Sequence, residues 1–201
     1  MPGQNWVGLI SPNTPQGSGA GTALSTATTA TLSPVTGGGG DVAQINQEGQ
    51  YQGWYAGLLI RVFARGFITT TATGTTFTPL LAARVGNTGA TYVTLATAAG
   101  ISTPAAANTG VPWILSGLIR CTSIATSGNT VSTQGEIEFK PIAAQTILTA
   151  SAETTVALPN ASGETAAAVD TTQVQGISMR GTLAGANATV QLTQWIVEAV
   201  N

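Results

Sequence analysis

The sequence predicts an all-β chain: a single antiparallel jelly-roll sandwich with an extended N-terminal arm. Three observations predict it. Val131, Thr133, Ile137 and Phe139 fall on one side of a pleat, and Ser132, Gln134, Glu136 and Glu138 fall on the other. That period of two marks a half-buried strand. Turn-forming clusters such as Gly86-Asn87-Thr88-Gly89, Ser127-Gly128-Asn129-Thr130 and Gly185-Ala186-Asn187 separate such stretches. No segment of helical length carries an apolar period near 3.6 with helix caps.

The elements follow in order. Residues 1–40 are rich in Gly, Pro, Ser and Thr and end in Gly37-Gly38-Gly39-Gly40, a flexible joint. Alone, this segment buries too little apolar surface to offset its ordering entropy. It reads as an arm, with one short strand within residues 23–33, and residues 41–201 read as the jelly-roll domain. Trp6, Val7, Leu9 and Ile10 form an apolar cluster at the start of the arm, suited to anchor it in a groove of a partner.

The first long strand covers residues 57–70. Leu59, Arg61, Phe63 and Arg65 point one way; Ile60, Val62 and Ala64 point the other. Residues 76–85 make a second strand, where Pro79 predicts a bulge or an edge position. A strand at 92–96 and a Pro/Gly/Ala loop at 97–110 follow. In the strand at 113–123, Trp113, Leu115, Ile119 and Cys121 share a face with Gly117. A hairpin turn at 127–130 leads into the strand at 131–139. Residues 141–170 are looser. Strands at 172–183 and 188–200 close the chain, and Trp113 and Trp195 are assigned to the core.

Composition limits the function. Charged residues make up 7% of the 201, against roughly 25% in an average soluble protein. Thr, Ser, Ala and Gly take their place, so the surface is polar but neutral, and the net charge is −2. Nucleic-acid binding gains no support, because it needs Lys and Arg to neutralise phosphates. A surface so poor in charge protects a monomer badly against association, which favours a protein covered within an assembly. One cysteine, Cys121, forms no intrachain disulfide and reads as a buried, inert thiol. No run approaches the ~18 apolar residues of a membrane span. Residues 1–10 lack the basic region of a secretory signal. The expectation is a soluble protein made in the cytoplasm without export, with no membrane partner.

The chain has no histidine, so catalysis by a Ser–His or Cys–His pair is excluded and zinc ligation is disfavoured. Glu136 and Glu138 share one strand face. Such a pair can serve a glycosidase or hold calcium, or it can sit on a solvated face opposite arginines. With no second acidic cluster, the last reading is taken. The Gly17-Ser18-Gly19-Ala20-Gly21 stretch follows no buried strand and opens no helix, so it is not a phosphate loop. Arg61 and Arg65 lie four residues apart on one face of an apolar strand, where outward parity turns both the same way. They can bind an anion, or pair with carboxylates across the sheet or across a subunit boundary, where arginine is enriched; the pairing role is assigned. No cofactor, metal or catalytic residue is read from the sequence.

Three stretches carry a resemblance. GLLIRVFARGFITTTATGTTFTPLLAARVG, PWILSGLIRCTSIATSGNTVSTQGEIEF and NATVQLTQWIVEAVN stand in this order. Together they resemble successive strand–turn–strand units of structural proteins of tailed bacteriophages, over roughly residues 50–201. The resemblance implies a jelly roll similar to tumour necrosis factor-like and viral capsid folds, assembly as a homotrimer, and no catalytic residues. It implies a virion protein: first a capsid decoration protein bound to the major capsid protein or another virion protein. The alternatives are a tail, baseplate or fibre-tip protein that contacts a host receptor, and a carbohydrate-binding module. For the module, Trp6 and Trp54 are the candidate sugar-stacking aromatics.

Overall fold

The computed structural model describes residues 7–9, 23–33, 44–45, 53–85, 91–103, 105–140, 154–159 and 163–200. Among them the chain is all-β, with two antiparallel sheets packed face to face and no helix. The strands are β1 (Val7–Leu9), β2 (Thr29–Thr31), β3 (Gln44–Ile45), β4 (Leu59–Thr70), β5 (Thr76–Val85), β6 (Val93–Thr97) and β7 (Ile101–Ser102). They continue with β8 (Asn108–Cys121), β9 (Val131–Phe139), β10 (Thr154–Leu158), β11 (Thr165–Ala167), β12 (Gln175–Leu183) and β13 (Ala188–Val200).

The large sheet runs β1-β13-β4-β8-β9-β10, with β11 also on β9; the small sheet runs β2-β12-β5-β6, with β3 on β12 and β7 on β5. Eight of these strands, β1, β2, β4, β5, β6, β8, β12 and β13, make the framework. Numbered along the chain, they stand 1-8-3-6 in one sheet and 2-7-4-5 in the other. That is jelly-roll winding, in which the chain crosses between sheets at almost every connection. The hairpin of β9 and β10, with β11, is inserted after the sixth framework strand and widens the large sheet.

Alternation explains the core. On β4, Ile60, Val62, Ala64 and Ile68 are buried while Arg61, Arg65 and Phe67 are exposed. Trp113, Leu115, Ile119 and Cys121 of β8 and Ile137 and Phe139 of β9 continue the same inner face, and Phe77, Leu81, Ile177 and Met179 meet them from the small sheet. Trp54, Trp113 and Trp195 are among the largest fully buried side chains. The Cys121 thiol is buried and donates to the Ser123 carbonyl at 3.4 Å.

The described parts of the N-terminal segment are strands laid on the sandwich. β1 pairs with β13 in register Val7↔Val200 to Leu9↔Glu198, and β2 pairs with β12 in register Thr31↔Arg180 to Thr29↔Thr182. Leu24 exchanges backbone hydrogen bonds with Val190 at 2.9 Å in both directions, and the Leu32 amide donates to the Met179 carbonyl at 2.9 Å. The segment is poor in large apolar residues, but Leu24 and Leu32 both lie in the core, each worth about 1.5–3 kcal/mol of burial. Two well-placed leucines and paired backbone do what composition alone does not reveal.

Pro79 also differs. It lies in β5, between two partners: opposite Gly181 of β12 and at the step where β6 gives way to β7. The Pro79 carbonyl accepts from the Ala98 amide at 3.0 Å, within that step. The missing N–H therefore falls where the neighbouring ladder is already interrupted. β8 begins at Asn108, earlier than alternation indicates, because the Asn108 side-chain amide donates to Thr70 Oγ1 at 3.3 Å and to the Ala106 carbonyl at 3.2 Å.

Candidate interaction face

The outward face of the large sheet gathers six of the chain's fourteen charged residues. Register places its residues in rows across β13, β4, β8 and β9. One row is Glu198, Arg61, Leu118, Gln134; the next is Ile196, Phe63, Ser116, Glu136; the third is Gln194, Arg65, Ile114, Glu138. Phe67 opposite Pro112 extends the face, and Arg120 opposite Ser132 closes its other end. Four of the six basic residues, Arg61, Arg65, Arg120 and Lys140, belong to this face or its margin. The charges are interleaved with half-buried Phe63, Ile114, Leu118 and Ile196. Phe67 is 43% exposed, one of two large apolar side chains so exposed among the described residues.

Three ion pairs are made on or beside this face. Glu198 Oε1 accepts from Arg61 Nε at 2.8 Å and lies 2.6 Å from Nη2. Lys140 Nζ lies 2.9 Å from Glu138 Oε1, and Arg120 Nη2 lies 3.7 Å from Glu164 Oε1. Glu164 also accepts from the Ser132 hydroxyl. Arg65 and Glu136 make no side-chain ion pair or hydrogen bond among the described residues. Thus, of the four charges singled out from the sequence, Arg61 and Glu138 have partners within the chain, but not each other. Glu198 went unnoticed as the partner of Arg61. Its signal was parity, since it lies outward on the same alternation that buries Val197 and Ala199.

A hollow of about 540 Å³ opens on the face. Arg61, Ser116, Leu118, Gln134 and Glu136 line it, and the backbone of Gly117 and Gly135 forms its floor. These two glycines are register partners. A Cβ on Gly117 would come within 3.2 Å of Leu81 Cδ1, and one on Gly135 would lie 2.8 Å from the Gly117 Cα and closer still to the Ser116 carbonyl. The absence of side chains here lets the two strands sink toward the core. The rim offers a guanidinium, a carboxylate, an amide and a hydroxyl around an apolar Leu118. Such a set has the donors and acceptors to orient a polar group by hydrogen bonds. No cluster of three or more metal-ligating side chains occurs among the described residues.

The other predicted site residues are placed as follows. Val7 and Leu9 lie in β1, with their backbone paired to the chain's own β13. Trp6 and Ile10 lie outside the described residues, as does the Gly17–Gly21 stretch. Trp54 is 1% exposed and is a core residue, so it is not a sugar-stacking platform. On the small sheet, sequence reasoning missed an arginine–tyrosine cluster. The Arg180 guanidinium stacks 4.0 Å from the Tyr92 ring centre and that of Arg84 lies 5.6 Å from it. The Tyr92 hydroxyl also accepts from Arg84 Nη1 at 3.4 Å and from Thr31 Oγ1 at 3.1 Å. Such a cluster ties β2, β5 and β12 together.

Comparisons with protein-family models, with curated proteins and with solved structures give no match to this chain.

Proposed function

We propose that this protein is a structural component of a bacteriophage virion: a capsid decoration protein that binds the shell as a homotrimer and works by contact, not by chemistry. The observation that carries the reading is the outward face of the large sheet. In a free monomer, Phe63, Phe67, Ile114, Leu118 and Ile196 would meet water on one continuous surface. A chain with 7% charged residues has little else to keep such surfaces apart. Closed cyclic symmetry covers the face a limited number of times and stops. The shell contact, to the major capsid protein or another virion protein, then uses the remaining neutral surface, whose burial needs no charge compensation.

Two measurements test this. Light scattering of the purified chain should give the mass of a trimer at micromolar concentration. Quantitative mass spectrometry of virions should give a copy number of capsid scale, where a copy number of only a few would move the protein to the tail. The hollow favours a second reading, a tail or fibre-tip protein that holds a hydroxylated receptor group. Its test is binding of the isolated chain to a glycan array, with loss of signal in Gln134→Ala.

A further inference from the structure

We propose that the outward face of the large sheet is a contact between copies of this chain, in which Arg65 of one protomer pairs with Glu136 of the next. The inference rests on the oligomeric reading above and specifies its interface.

Charge complementarity selects the occupant. The face carries three arginines and three glutamates, in a chain with six basic and eight acidic residues in all. Arg61, Arg120, Glu138 and Glu198 are satisfied within the protomer. Arg65 and Glu136 are the two left over, one of each sign, both exposed. They do not reach each other. β8 lies between their strands, so the backbones stand two strand spacings apart, about 10 Å. They are also offset along the strands, since Arg65 is level with Glu138 and Glu136 is level with Phe63. Ile114, Ser116 and Phe63 occupy the ground between them.

A surface with one unpaired cation, one unpaired anion and an apolar centre can meet further copies of itself head to tail, the cation of one protomer against the anion of the next. In a closed ring each protomer then gives its Arg65 to one neighbour and its Glu136 to the other. The apolar centre supplies the association energy, and the charges fix register and exclude misaligned contacts. The hollow beside Glu136 leaves room for the incoming arginine stem, which packs its methylenes on apolar surface.

The test is a charge exchange in the full chain, read by sedimentation over a concentration series. Arg65→Glu alone and Glu136→Arg alone each set like charges against each other, and each should raise the dissociation constant at least ~10-fold. The double variant restores opposite charges and should return to within ~3-fold of the original. Circular dichroism checks that each variant folds; should a reversal fail to fold, Arg65→Gln and Glu136→Gln replace it and should each weaken association, with no rescue in combination. If the unaltered chain is oligomeric and the single variants associate as tightly, the pairing is wrong and the oligomer stands on another surface. The pairing is equally wrong if both single reversals weaken association and the exchange does not restore it. If the unaltered chain is monomeric at micromolar concentration, the oligomeric reading itself fails, and this inference with it.

Discussion

Gly66 of β4 lies directly against the indole of Trp113 on β8, its register partner. A methyl group at Gly66 would stand 2.5 Å from Trp113 Cζ2 and 2.8 Å from Cε2, and closer still to the Gln191 carbonyl. The neighbouring strand β13 shifts register between Leu192 and Gln194, opposite this glycine. The bulge and the glycine together make space for one of the three tryptophans of the core.

Gly66→Ala should therefore destabilise the protein by ~2–3 kcal/mol, the usual cost of overpacking against parts that do not move. Denaturant titration measures it. Part of that cost comes from the six-membered ring of the indole, so Gly66→Ala should cost less in a Trp113→Phe background. A double-mutant cycle should show coupling above ~0.5 kcal/mol.

Trp113→Ala and Trp195→Ala should each cost ~3–5 kcal/mol, because both side chains are fully enclosed. The check is thermal or chemical unfolding. Variants that unfold as the unaltered chain does would mean that these indoles do not hold the two sheets together.

Leu24→Ala and Leu32→Ala should each cost ~2–4 kcal/mol, although both lie in a segment of low-complexity composition. Deletion of residues 1–33 removes β1, β2 and both leucines, and should leave a chain that fails to fold. A soluble, cooperatively folding product, seen by circular dichroism, would show that the sandwich closes without them.

Arg61→Ala should change stability by less than ~1 kcal/mol, since its bond to Glu198 is formed with the guanidinium side chain 54% exposed. A larger loss in the unfolding free energy, undiminished by salt, would mean that the pair is better shielded than its exposure indicates.

The long strands were legible because their inner residues alternate without interruption. β13 was legible to the residue, Ala188–Val200. Its bulge was written there too: Val190 and Leu192 share one parity and Trp195, Val197 and Ala199 the other. That switch of parity signals an inserted residue. β2, Thr29–Thr31, falls within the short strand read at residues 23–33. β1 was illegible for a physical reason: it is three residues long, and what makes it a strand is a backbone partner far away in sequence. The outward direction of Arg61, Arg65, Glu136 and Glu138 followed from parity alone. Which carboxylate meets which arginine did not, because that depends on the order of strands in the sheet, and β8 stands between the two pairs.

The pairing of β1 with β13 and of β2 with β12 sets an order of events during synthesis. β1 and β2 leave the ribosome well before β12 and β13 and must wait for them before they have their partners to bind. At roughly 5–20 residues per second, the usual rate of synthesis, that wait lasts on the order of ten seconds or more. Throughout it the segment is an unpaired strand-former, the kind of chain that sticks to its neighbours. Gly, Ser, Thr and Pro, with few large apolar side chains, make it a poor partner for anything but its own sheets. The composition that makes this stretch look like a loose tail is what keeps it available until the sandwich can close over it.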